Sequence, residues 1–162
     1  AAQRKHFSHS SKKILTFVNP AIRRSSALDS RRTYQIGNGR FLVTLSVHET
    51  NGRGLCCFIS GGESPHVGGT VLAVPREKSS RDGMTCDIWS ITVPGHKDTI
   101  LAEQAAKKIC MSMLQPVNVT VGVHIDHATE DEIRRLCENA CEAVECFLRE
   151  QDSEAEKKGD AR

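Results

Sequence analysis

The chain lacks the motifs by which several large classes of protein are recognised. None of its apolar runs approaches the roughly 18 residues that a bilayer-crossing helix needs, so no membrane span is predicted. It contains no GxGxxG, GxxxxGKS, GxxxxGKT or GxSxG motif, so nothing indicates a Rossmann dinucleotide site, a P-loop or an α/β-hydrolase nucleophile. No nucleophile with a paired base is identifiable either. The sequence therefore gives no positive evidence for catalysis.

No two of the seven cysteines form a CxxC pair, and a structural zinc knuckle is therefore not expected. Their number is odd, and several fall on the apolar stripes of predicted strands and helices. We therefore expect reduced cysteines, largely in the core, in a reducing compartment. They are Cys56, Cys57, Cys86, Cys110, Cys137, Cys141 and Cys146.

Acidic residues are almost absent from residues 1–32, where eight Lys or Arg accompany the single acid Asp29. Residues 33–162 carry a net charge of −5, and such a mildly acidic domain argues against nucleic acid as a partner. The basic segment is expected to be a disordered extension, or sequence upstream of the natural start. A transit peptide is the alternative, and a nucleic-acid-binding arm a more distant one. The expected location is therefore the cytoplasm, or the mitochondrion if the segment is a transit peptide.

The centre of the chain has the pattern of strands. Alternating or continuous apolar residues, bounded by turn signals, predict four strands. The turn signal Asn51-Gly52 between the first two predicts a hairpin. The strands lie at residues 41–47, 55–60, 70–74 and 84–93.

The remaining part of the domain predicts two helices and one more strand. An Ala-rich stripe predicts a helix from Asp98, its expected N-cap, to Met113. A valine-rich strand at 117–125 and a second helix follow. The order ββββαβα predicts an α/β sandwich: a single mixed, mainly antiparallel sheet with helices packed on it. One domain, 33–149, is expected, followed by a charged disordered tail at 150–162.

The segment 61–76, GGESPHVGGTVLAVPR, gathers four glycines around Pro65 and His66. Glycine allows backbone amides to approach an anion or a flat ring closely. A tight turn between strands explains the same glycines equally well. The four are Gly61, Gly62, Gly68 and Gly69.

The segment 94–98, PGHKD, puts His96 and Lys97 directly before a predicted helix. Free amides and the helix dipole favour negative charge there, so a phosphate or a carboxylate could bind. The alternative is that both side chains are solvated loop residues.

The segment HIDH, residues 124–127, lies where a strand gives way to a helix. His124 and Asp126 share a strand face, and Thr129 with Glu132 forms a predicted capping box. Two imidazoles and a carboxylate suit zinc or iron, but the three ligands would meet only if the strand kinks. A purely structural role is the stronger interpretation, and no metal is predicted.

In this order, the segments GGESPHVGGTVLAVPR, PGHKD and VGVHIDHATEDEI resemble the LpdD-like prenylated-flavin chaperone family. The resemblance covers about 34–148. Members accompany UbiD-type aromatic acid decarboxylases and were described as their small D subunits. It implies a fold similar to that of proteasome assembly chaperone 3, without an active site of its own. His127 stands where the family has Asn, and Ala128 where it has an aliphatic residue.

The resemblance implies a non-catalytic accessory protein that binds prenylated FMN or FMN and assists a UbiD-type decarboxylase apoenzyme; a homodimer is conceivable. One alternative is an assembly chaperone that acts only through protein contacts. The other, less favoured, is a metal-dependent enzyme using His66, His96, His124 and Asp126. We predict that the histidines and Lys97 converge on one pocket. The predicted cofactor-binding residues are Gly61, Gly62, His66, Gly68, Gly69, His96, Lys97, His124 and Asp126.

Overall fold

The computed structural model describes residues 31–50, 52–79 and 83–159. Most of the expected basic extension, residues 1–30, thus lies outside the described residues. No helix in the described part combines the length and the apolar character that crossing a membrane requires. The elements, in chain order, are β1 (Arg31–Ile36), a 3-10 turn (Gly39–Phe41), β2 (Val43–Glu49), β3 (Leu55–Gly62), β4 (Gly69–Glu77), β5 (Met84–Thr92), α1 (Asp98–Met113), β6 (Val117–His124) and α2 (Glu130–Gly159).

The six strands form one mixed sheet in the order β1-β2-β3-β6-β4-β5. Only β3 and β6 run parallel to each other, and the other neighbours are antiparallel. α1 packs on β4, β5 and β6, while α2 packs mainly on β1 and β2. The predicted fold, a single mainly antiparallel sheet with helices on it, is confirmed.

The core lies between the sheet and both helices, which touch each other on the same face. Alternate residues of the central strands point into it, such as Val43, Leu45 and Val47 of β2, all fully buried. Phe147 of α2 is the largest fully buried side chain. Because both helices pack on this face, the opposite face, to which every second strand residue points, has no helix over it within the described residues.

The sequence did not predict β1, and the first strand was expected only at residue 41. β1 pairs with β2 along its whole length and forms one edge of the sheet. Its helix-facing residues are Arg32, Tyr34 and Ile36, of which only Ile36 is aliphatic. A strand with an inward-facing charge does not give the usual alternating pattern, although edge strands commonly carry such charges.

The expectation of a disordered tail from residue 150 is wrong as far as Gly159, because α2 continues to that residue. The tail was expected to bury nothing, but its acids reach β1. The guanidinium of Arg32 donates to both carboxylate oxygens of Glu154, at 3.0 and 3.1 Å. The Tyr34 hydroxyl donates to Glu150 at 2.5 Å. These contacts hold the last turns of the helix against the first strand.

The cysteines are all free thiols, as expected. Cys57 and Cys110 are buried, and burial raises their pKa values to about 12 and about 11. Cys56 and Cys141 are exposed, so the expectation of core cysteines holds for only part of the set.

Candidate functional site

Several strands begin or finish at the same end of the sheet. The parallel strands β3 and β6 end side by side, and β4 begins beside β6. β5 is antiparallel to β4 and therefore ends at the same edge. The loop 63–68, the turn 93–97 and the exit from β6 come together here. We call this region the histidine edge.

Three predicted histidines meet at the histidine edge. His66 Nε2 lies 3.0 Å from His96 Nδ1, and the two ring centroids are 4.5 Å apart. The ring of His124 is 5.9 Å from that of His66, in an edge-on arrangement. The three side chains are 24%, 34% and 46% exposed, respectively, so a ligand can reach them from solvent.

Asp98 is a further member of this cluster that the sequence analysis assigned another role. It was expected to cap α1, but Lys97 occupies the N-cap position and makes no side-chain cap hydrogen bond. The Asp98 carboxylate is only 8% exposed, and its Oδ1 accepts from the Val123 amide at 3.0 Å. Its Oδ2 lies 3.7 Å from His66 Nε2 and 3.5 Å from His96 Nδ1. The sequence signal that could have indicated this role is the position of Asp98, an acid two residues after His96.

The orientation of His66 is set by its own loop. Its Nδ1 lies 3.0 Å from the carbonyl oxygen of Ser64, which can only accept a hydrogen bond. Nδ1 therefore carries the proton and donates, and Nε2 of the neutral ring is left with a lone pair. That lone pair accepts the hydrogen bond from His96 Nδ1, 3.0 Å away, and also faces Asp98.

Two glycines allow the loop to lie directly on the strands. A Cβ on Gly122 would lie 1.6 Å from the backbone oxygen of His66, and one on Gly62 would lie 2.0 Å from that of His124. Gly62 also has a φ of +81°, which side chains disfavour. Glycine at these positions therefore permits the close approach that presents the two imidazoles.

The other predicted glycines also have packing roles. A Cβ on Gly68 would lie 2.2 Å from Asp98 Oδ2, and the Gly68 amide donates to the Val121 carbonyl at 2.8 Å. Gly61 and Gly69 lie inside β3 and β4 and pair with neighbouring strands. These glycines shape the histidine edge by bringing its backbone segments together.

The two remaining predicted residues lie on the outer side of the site. Lys97 is exposed at the start of α1. Asp126 is 72% exposed, and its Oδ1 lies 2.9 Å from His124 Nε2. The structure therefore pairs Asp126 with His124, whereas Asp98 is the carboxylate beside His66 and His96.

The start of α2 confirms the predicted capping box. The Glu132 amide donates to Thr129 Oγ1 at 3.3 Å, and the Thr129 amide donates to the Glu132 carboxylate at 2.9 Å. The hydrogen bond from the Thr129 amide is the main cause that lowers the pKa of Glu132. His127, just before the helix, has a φ of +52°, a conformation in which Asn and His are both enriched. This conformation is therefore compatible with a histidine at position 127.

These features define a two-layer α/β domain with a polar, solvent-accessible site at one sheet edge. The chain belongs to the prenylated flavin chaperone LpdD-like domain family, whose model matches residues 37–152. No curated protein sequence matches it. Among solved structures, it is similar to a chain of a novel chaperone complex for yeast 20S proteasome assembly. The two share 13% identity with a TM-score of 0.49, over 76% of this chain and 95% of the other.

Proposed function

We propose that this protein is a non-catalytic chaperone that binds prenylated FMN, or FMN, at the histidine edge and assists the maturation of a UbiD-type aromatic acid decarboxylase. Membership of the prenylated flavin chaperone family supports the choice of ligand. The structural observation that carries the proposal is the meeting of His66, His96 and His124 beside Lys97.

The proposed ligand has a dianionic phosphate and a polar ring, and the site offers partners for both. Lys97 and the uncapped amides at the start of α1 suit the phosphate. The half-exposed imidazoles can donate to or accept from the heteroatoms of the ring. Val67, 58% exposed in the same loop, adds an apolar contact.

An open site suits a carrier better than it suits an enzyme. Sites that retain a small ligand permanently usually enclose most of its surface. The histidine edge is formed by loops at the ends of strands, and its side chains are partly exposed. One side of a bound flavin would therefore remain uncovered. A client enzyme can approach that side, and this is how we propose the flavin is transferred.

The binding step is tested by titrating the full chain with FMN and with prenylated FMN. We expect His96→Ala and Lys97→Ala each to weaken binding roughly 10-fold or more, the usual effect of removing a hydrogen bond to a charged group. The matched controls are His48→Ala, at the opposite end of β2, and Lys107→Ala, exposed on α1. The proposal would be contradicted if the chain bound neither flavin, or if the control variants lost as much flavin affinity as His96→Ala and Lys97→Ala.

The delivery step is tested separately with a UbiD-type apoenzyme and prenylated FMN. Decarboxylase activity should appear faster with the wild-type chain than without it, and the Lys97→Ala variant should lose this advantage. Normal flavin binding without any effect on activation would remove the delivery role and leave only storage.

One observation favours the second candidate, a chaperone that acts only through protein contacts. Leu72, Trp89 and Ile91 are 40%, 57% and 70% exposed on the sheet face that lacks helices; we call them the open-face patch. Clustered exposed apolar side chains commonly mark protein interfaces. If Trp89→Ser abolishes client association while His96→Ala has no effect, this candidate replaces the flavin carrier. Sedimentation of the free chain would show whether a second copy occupies the patch.

A further inference from the structure

We infer that His66, His96 and Asp98 form a binding site for one divalent transition-metal ion, with Zn²⁺ as the expected example. Among the described residues, these three side chains are the group whose ligand atoms lie close enough together to share one ion. The inference does not depend on the proposed flavin function. It replaces the metal set considered from the sequence, in which Asp126 was the carboxylate.

The spacing of the three ligand atoms fits a metal ion. His66 Nε2, His96 Nδ1 and Asp98 Oδ2 form a triangle with sides of 3.0, 3.5 and 3.7 Å. Zn²⁺ bonds of about 2.0–2.2 Å in a tetrahedron place neighbouring ligands about 3.3 Å apart. The circle through the three atoms has a radius of about 2.0 Å, so one point lies at bonding distance from all three.

Two of the ligands are already oriented by their other polar atoms. His66 donates from Nδ1 to the Ser64 carbonyl and so points an unprotonated Nε2 at the proposed ion. Asp98 receives the Val123 amide on Oδ1, which leaves Oδ2 for the metal. A metal-binding histidine commonly donates its second N–H to a carbonyl or carboxylate, which fixes its tautomer and raises its basicity.

The charge of Asp98 also calls for a cation. Its side chain is 8% exposed, and a carboxylate with so little contact to solvent is stabilised by a nearby cation. The two imidazole nitrogens are 3.5 and 3.7 Å from Oδ2, which is long for hydrogen bonds. A divalent ion at the centre would neutralise the carboxylate and bind the lone pairs of His66 Nε2 and His96 Nδ1, while the proton that His96 Nδ1 donates to His66 in the ion-free chain moves to His96 Nε2 or to solvent.

Three protein ligands leave at least one coordination position for water or a ligand oxygen. Because His66 and His96 are partly exposed, that position is reachable from solvent. The chemistry proposed here is therefore binding of an exchangeable ion that can accept an anionic oxygen as an additional ligand.

The test uses the full chain without flavin, after its thiols have been blocked, because seven free cysteines could also bind zinc. Competition with a chromophoric chelator should show one Zn²⁺ per chain. His96→Ala and Asp98→Asn should weaken binding at least about tenfold, and Asn at 98 can still accept from Val123. His48→Ala and Asp131→Asn, which lie outside the cluster, serve as matched controls and should bind like the wild type.

Cobalt substitution identifies the ligand atoms. In the thiol-blocked chain we expect the visible bands of a nitrogen- and oxygen-ligated Co²⁺ ion, and loss of those bands in Asp98→Asn. Failure to bind Zn²⁺, equal affinity in all variants, or binding that disappears on thiol blocking would overturn the proposal. Circular dichroism must show that each variant is folded. A chain that binds Zn²⁺ but no flavin would keep this inference and remove the proposed function.

Discussion

The two ends of the sheet are stabilised by different means. At the histidine edge, backbone lies directly on glycine, as where the carbonyl of His66 covers Gly122. At the opposite end, which we call the charged end, long side chains pair across elements: Arg32 of β1 with Glu154 of α2, and Tyr34 with Glu150. Polar groups at the charged end therefore satisfy one another. Both ends are partly exposed, but at the histidine edge His66, His96 and Asp98 direct their polar atoms at a common point, as a binding site requires.

The core between the two ends should give the largest loss of stability. Phe147 is fully buried and its ring centroid lies 5.8 Å from that of Tyr34. We expect Phe147→Ala to lower the free energy of unfolding by about 4 kcal/mol, because it leaves a cavity as well as lost burial. The control is Ile133→Ala on the same helix, where the side chain is 51% exposed and the expected loss is below about 1 kcal/mol. Urea denaturation measures both, and equal losses would show that α2 is misplaced.

The next largest effect is expected at the histidine edge, from Gly122→Ala. The added methyl group would collide with backbone, which cannot move as a flexible side-chain end can, so we expect a loss of about 3 kcal/mol. Gly52→Ala is the matched control, since nothing lies within 4 Å of a Cβ there. The comparison of the two ends would fail if both substitutions were equally mild in urea denaturation.

Much of the histidine edge was predictable because its three loops each carry a compact signal. Alternating valines placed His124 at a strand end, and the segment before α1 placed His96 beside a helix start. The segment order then indicated the family. The convergence was a topological prediction, which required the strands that end at these loops to be neighbours with the right polarity. The role of Asp98 was not predictable, since an acid at a helix start is explained locally as a cap. Its actual partner, the Val123 amide, is 25 residues away.

The charged end was hard to predict for a different physical reason. Hydrophobic periodicity finds elements that bury apolar surface, but β1 and the last turns of α2 meet through ion pairs and hydrogen bonds. Neither segment has a strong apolar stripe by itself. The side chains that join them, Arg32 with Glu154 and Tyr34 with Glu150, are more than 115 residues apart in the chain. Such pairings leave no local pattern in a single sequence.

A smaller effect is expected where α2 begins, at the histidine edge. Thr129→Ala removes the hydroxyl that accepts the Glu132 amide, and we expect a loss of about 1 kcal/mol. Thr129→Ser keeps the hydroxyl and should restore most of it. A separate hydrogen bond, from the Thr129 backbone amide to the Glu132 carboxylate, lowers the pKa of Glu132 in the folded state, so its contribution is present above the unfolded pKa of about 4.5 and is lost as pH falls. Urea denaturation at neutral pH tests the cap, and equal stabilities of the Ala and Ser variants would contradict it. Glu132→Gln tests the second hydrogen bond: its loss of stability relative to the wild type should shrink in acid, and a loss that persists unchanged would contradict that contribution.

The smallest change in stability is expected at the charged end, from Glu150→Gln. Burial of the ring, and then the hydrogen bond to Glu150, raise the pKa of Tyr34 from 10.0 to about 12. Tyr34 is the only tyrosine, so its ultraviolet absorbance reports this ionisation alone. Because the folded pKa is the higher one, the associated stability is fully present below pH 10 and is lost as pH rises towards 12.

Near neutral pH, Glu150→Gln should change the free energy of unfolding by less than about 0.5 kcal/mol, since an exposed polar contact contributes little. In the absorbance titration the pKa should fall but stay above 10, because burial remains. A wild-type Tyr34 that titrates near 10 would mean that the last turns of α2 do not hold β1, and the charged end would lose its place in the comparison.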